Sequence, residues 1–115
     1  MRAVLFLNLE GVHYYGNIPD PSSLSCEQIK ELPLEESDWP LLSKWFVDPI
    51  NQLCGTALDY GDVDYFDSDS CRVLCQWLNG SLRTTTDHHL RAIYSALLDL
   101  GRTAVQLGTG IVLEF

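Results

Sequence analysis

Positive charge is scarce in this sequence. Seven lysines and arginines stand against 16 aspartates and glutamates, a formal net charge of −9. That balance disfavours nucleic acid and anionic membrane as direct partners, because phosphate recognition needs clustered Lys and Arg. Long apolar runs are missing too: no stretch reaches the roughly 18 apolar residues of a membrane span. The opening segment Met1–Leu7 is apolar apart from Arg2. Asn8 and Glu10 interrupt it, and no small-residue cleavage site follows, so it does not read as a secretory signal. A cytosolic protein is expected. Cys-x-x-Cys pairs are absent, and Cys26, Cys54, Cys71 and Cys75 are expected to be thiols in such a compartment. Cys71 and Cys75 have i, i+4 spacing, which can present two metal ligands on one helix face. They share that stripe with Leu74 and Leu78, which favours buried small side chains, and no metal or cofactor is expected. Repeats, low-complexity tracts and linkers are lacking as well. With 46% apolar and 20% charged residues over 115 positions, the chain reads as one globular domain, 1–115.

The hydrophobic pattern divides this domain into strands at its ends and helices between them. Residues 2–10 alternate apolar side chains on both faces (Val4 and Phe6 against Leu5, Leu7 and Leu9), the mark of a strand covered on both sides. Tyr14-Tyr15-Gly16-Asn17 predicts a turn. Ser25 followed by Gln28 suggests a capping box for a short helix over 26–31, ended by Pro33. Asp38-Trp39-Pro40 has the chemistry of a helix start, with Asp38 as cap and Leu41, Leu42, Trp45 and Phe46 as an apolar face. Asp48-Pro49 repeats that chemistry and predicts a break or kink near Asp48, with a second segment to Leu53 closed by Gly55. Residues 56–60 suit a short strand. Asp67 is the expected cap of a helix carrying Cys71, Leu74, Cys75 and Leu78. Asn79-Gly80 offers a stop, with a run to Leu82 as the alternative. Asp87 caps the strongest pattern, in which Leu90, Ile93, Tyr94, Leu97, Leu98, Gly101, Ala104 and Val105 recur at spacings of three and four. Gly101 there signals close packing. Residues 111–115 read as a closing strand. The fold class predicted is α+β: a small antiparallel sheet containing both terminal strands, packed with three or four helices.

The negative charge is unevenly placed. Glu10 to Asp69 holds 13 acids against Lys30 and Lys44, a local charge of −11, whereas residues 70–115 are close to neutral. Residues 59–69 concentrate it, with five carboxylates and three aromatics and no base. An EF-hand is excluded by register: counted from Asp62, the glycine position is Asp67 and the closing Glu position is Val73. A solvated acidic loop leading into a helix cap explains Asp67 and Asp69. A protein-binding surface is the competing reading: aromatic side chains supply rigid contact area and carboxylates steer a basic partner. The candidate partner-binding residues are Asp59, Tyr60, Asp62, Asp64, Tyr65, Phe66 and Asp69, with Glu35 and Glu36 as a second acidic group that would extend the face if it folds alongside. Catalytic signatures are missing: there is no Gly-x-Ser-x-Gly, Walker loop, His-Glu-x-x-His or Rossmann glycine pattern. His88-His89 follows a helix cap and reads as a surface first turn, His13 stands alone, and Trp39, Trp45 and Trp77 read as core.

Three segments together, Leu-Pro-Leu-Glu-Glu-Ser-Asp-Trp-Pro at 32–40, Tyr-Gly-Asp-Val-Asp-Tyr-Phe at 60–66 and Leu-Gly-Thr-Gly-Ile-Val-Leu-Glu-Phe at 107–115, give the chain a character that resembles small bacterial immunity proteins of contact-dependent growth inhibition and polymorphic toxin systems. The resemblance implies a non-enzymatic cytoplasmic inhibitor that binds one cognate toxin domain, often a nuclease with a basic surface. Those families differ in fold, so the resemblance assigns no site residue. Two other expectations follow from the residues. One is a structural or adaptor subunit that docks through Leu41, Leu42, Trp45 and Phe46. The other is a small enzyme using His88, His89 or a cysteine.

Overall fold

Strand β1 (Arg2–Phe6) is apolar on both faces, and in the computed structural model, which describes residues 1–115, both faces are covered. β1 lies inside a four-stranded antiparallel sheet, between β4 (Ile29–Pro33) and β6 (Ile111–Glu114), with β5 (Val63–Phe66) beyond β6. The order β4-β1-β6-β5 puts the two terminal strands side by side at the centre. Cross-strand partners share a face. Leu5, Ile111 and Phe66 therefore line one side in register, joined by Ala3 and Leu113, and all five are buried against the helices. Val4 and Val112 line the other side and are equally buried. That side is covered by the excursion between β1 and β4. It contains the hairpin of β2 (Tyr14–Tyr15) and β3 (Ile18–Pro19), followed by a 3-10 turn, Pro21–Ser23. β1 stops at Phe6, and Leu7 is exposed, because the chain turns away into this cover.

Four helices pack on the inner face. α1 (Trp39–Leu42) and α2 (Asp48–Cys54) are joined through a π turn, Ser43–Val47, into one rod. The interruption expected near Asp48 takes the form of this π turn: the α-helical pattern stops at Leu42 and resumes at Asp48, backbone angles stay helical throughout, and the wider turn accommodates the amide that Pro49 lacks. Gly55 closes the rod at φ 65°. α3 (Ser68–Thr84) and α4 (His88–Leu107) form an antiparallel pair, capped by Asp67 onto the Ser70 amide (2.9 Å) and by Asp87 onto the Leu90 amide (2.8 Å). α3 runs past Asn79-Gly80 to Thr84, since α4 packs along its length. Gly101 is the point of closest approach: a Cβ there would lie 2.7 Å from Cys75 Sγ. The architecture is α+β in a single domain, with the sheet between helices and an irregular cover.

Two local expectations are overturned. Residues 29–33 pair with β1 from Arg2↔Pro33 to Phe6↔Ile29 in place of forming a helix. The Ser25 amide does bond Gln28 Oε1 at 3.2 Å, but the contact closes a turn that leads into an edge strand, where Pro33 is tolerated. Residues 56–60 form no strand. Asn51 of α2 takes their backbone instead, donating from Nδ2 to the Leu58 carbonyl (3.1 Å) and accepting the Leu58 amide at Oδ1 (2.8 Å).

Candidate protein-binding surface

The Asn51 clamp fixes one side of the turn 59–62, and β6 fixes the other. The Asp62 amide bonds the Asp59 carbonyl (3.1 Å), Gly61 takes φ 84°, and the Phe115 amide reaches the Asp62 carbonyl (3.0 Å). Asp59, Tyr60 and Asp62 are thereby held outward and exposed. The second acidic group is ordered separately. Glu35 and Glu36 are exposed on a 3-10 turn (Glu36–Asp38), whose buried Asp38 accepts the Glu35 amide at 3.1 Å.

The two segments meet. Tyr60, 53% exposed, lies against Trp39 with ring centroids 5.6 Å apart, and the Glu36 carboxylate sits beside its hydroxyl, which raises the Tyr60 pKa. Trp39 is half-buried and continues inward to Phe115 at 6.0 Å. The result is an exposed tyrosine on a tryptophan floor, with Glu35, Glu36, Asp59 and Asp62 on the chain segments around it.

The rest of the 59–69 stretch is not part of this patch, because β5 runs through its middle. Four strand residues carry the chain about 13 Å, so Asp69, exposed in the first turn of α3, lies beyond the far end of β5 from Asp62. Asp64 is half-buried on the inward side. Burial raises its carboxyl pKa, an effect opposed by the Ala57 backbone and reinforced by Asp62. Tyr65 is half-buried on the opposite face, edge-on to Phe6 at 6.1 Å, and burial pushes its hydroxyl up to about 12. Phe66 is wholly buried, so as a contact residue it is corrected to core: it faces the helices beside Ile111. Trp45 departs from expectation in the other direction, with 52% of its surface exposed.

Asp38 also departs from its predicted role. Its side chain makes no cap bond to α1; it meets His89 Nε2 at 2.5 Å, linking the acidic turn to the first turn of α4. Burial alone would raise the Asp38 carboxyl, but the His89 hydrogen bond and the Glu35 amide outweigh it, and its pKa lies below the ordinary 3.8. The Asp38 hydrogen bond and charge lift His89 above 6.5. The contribution of His89 to stability is full below 6.5 and lost as pH rises through its folded value. That of Asp38 is present above 3.8 and lost as pH falls through its lowered value. The link is therefore strongest between about 3.8 and 6.5. NMR titration of His89 is expected to give a value above 6.5 that moves back toward 6.5 in Asp38→Asn. A wild-type value at or below 6.5, or one unchanged by the substitution, contradicts the link.

His88 and His13 are exposed. The four cysteines are unpaired, and no three His, Cys, Asp or Glu side chains converge as a metal-holding group. No helix is long and apolar enough to cross a membrane. Comparison of the chain with family models, with curated protein sequences and with solved structures finds no match.

Proposed function

We propose that this chain is a non-enzymatic immunity protein of the cytosol that neutralises a cognate bacterial toxin domain with a basic surface. One observation carries the reading: two acidic segments distant in sequence are brought together around Tyr60 and Trp39. An exposed aromatic supplies the buried anchor that gives a complex its residence time, and the carboxylates around it supply steering. The adaptor reading is weaker, because Leu42 and Phe46 of its proposed docking face are buried in the chain's own core. The enzyme reading would need a histidine gathered with its partner in a cavity. His89 meets Asp38 with 61% of its side chain exposed, which suits a structural link better.

The test is protection. If the neighbouring gene encodes a secreted protein with a basic C-terminal domain, cells expressing that domain are expected to resume growth when this chain is co-expressed, and to fail when Glu36, Asp59 and Asp62 are all changed to Lys. Continued killing in the presence of the folded wild-type chain contradicts the proposal.

A further inference from the structure

A groove of about 440 Å³ opens between the first helical rod and the α3–α4 turn. Trp45, Trp77 and Tyr94 form its apolar walls, and Ser81, Thr84 and Asp87 contribute polar atoms. It lies in the size range of ligand pockets, and no lysine, arginine or histidine lines it. Tyr94 is 1% exposed, and burial alone pushes its hydroxyl up to about 12, with no hydrogen bond contributing. The hydroxyl makes no hydrogen bond within the chain, yet it is not a fully enclosed polar atom, so it meets the open space of the groove.

The one acidic group in the lining, Asp87, stands among hydroxyls (Ser81, Thr85, Thr86 and Tyr94) that can donate or accept. Asp87 uses Oδ1 for the Leu90 amide, leaving its second oxygen open. Thr84 donates its hydroxyl proton to the Ser81 carbonyl, leaving its oxygen able to accept. Arg91, in the first turn of α4, is already engaged by the carbonyls of Leu82 and Thr85. Lys44, next to Trp45 in the chain and not part of the lining, places its ammonium 4.9 Å from the centre of the Trp45 ring, so this indole already holds a cation. Flat aromatic walls with acceptors at their edge fit a side chain that stacks and only donates, which describes arginine. Behind the groove, packed rings run through the core toward the acidic patch: Tyr94 to Trp77 (5.4 Å), Trp77 to Phe46 (5.7 Å), Phe46 to Phe115 (6.1 Å), Phe115 to Trp39 and Trp39 to Tyr60, with Phe46 and Phe115 buried.

We infer that this groove is a second contact point for the basic partner and receives one of its arginine side chains, which replaces Lys44 on Trp45; the inference rests on the immunity reading. The probe is an acetylated and amidated Gly-Arg-Gly peptide, with Gly-Leu-Gly as comparison, followed by the indole N–H signals of Trp39, Trp45 and Trp77. Saturable shifts of Trp45 and Trp77 are expected with the arginine peptide while Trp39 stays still. The leucine peptide is expected to bind about tenfold more weakly. Trp45→Ala should abolish the effect, and Tyr94→Phe, which keeps the ring in the core, should weaken it several-fold. Equal binding of both peptides, no saturable shift, or shifts confined to Trp39 would each overturn the inference. Toxin binding separates the two ideas. If the peptide does not bind while charge reversal at Glu36, Asp59 and Asp62 still weakens toxin association, the groove is refuted and the acidic patch stands. If the peptide binds while the toxin ignores that charge reversal, the patch fails and the groove remains.

Discussion

Phe46→Ala is expected to destabilise the fold by about 4 kcal/mol, while Trp45→Ala beside it changes stability by no more than about 0.5 kcal/mol. Phe46 is fully buried and packs against Trp77, Tyr94 and Phe115, so it joins both long helices to the end of β6. Truncating it removes a large apolar side chain from contact and leaves a cavity among rigid rings that cannot close in together. Trp45 points outward and leaves no such void. Against a typical domain stability of about 5–15 kcal/mol, the Phe46 loss is a large fraction, and it should lower Tm by about 15–25 °C. Denaturant unfolding of the two variants checks this. Similar losses for both, or a loss under about 1 kcal/mol for Phe46→Ala, would show that the aromatic cluster does not hold the helices to the sheet.

Reversing Glu36, Asp59 and Asp62 to Lys is expected to slow association with the toxin domain by about ten- to a hundredfold at low salt, with a much smaller change in dissociation. All three side chains are exposed and none caps a helix, so the fold should survive. Glu10, Glu27 and Asp99 changed together to Lys, all exposed and outside the patch, are the control of equal net charge. Tyr60→Ala should act oppositely: it removes contact area and the packing on Trp39, so dissociation quickens and association barely changes. Equal slowing by that control variant would mean that overall charge steers the partner and that the patch has no special role.

What the sequence revealed depended on how local the cause was. Spacings of three and four along 88–107 and the caps Asp67 and Asp87 act within a helical turn, and those helices form where the pattern places them. The terminal strands were legible because side chains on both faces of β1 are apolar, which demands two covering layers. Residues 29–33 misled because Ser25 and Gln28 do bond each other, and only the open edge of β1 decides that a strand follows. Residues 56–60 misled because a side chain seven positions from Leu58, Asn51, satisfies the backbone that a neighbouring strand would otherwise take. The candidate site was half legible. Its charge could be counted, but the meeting of Glu36 with Tyr60 and of Asp38 with His89, 51 positions apart, is made by tertiary packing. Alternation, by contrast, held the clue to Phe66: a residue two positions from inward-facing Asp64 must face the core.

The most direct measurement is the association rate of the wild-type chain with the toxin domain across ionic strength. A rate that falls steeply between low and physiological salt, and that loses most of this slope when Glu36, Asp59 and Asp62 are reversed, is the predicted result. A rate indifferent to salt, or a slope unchanged by the reversal, would contradict an acidic surface built around Tyr60.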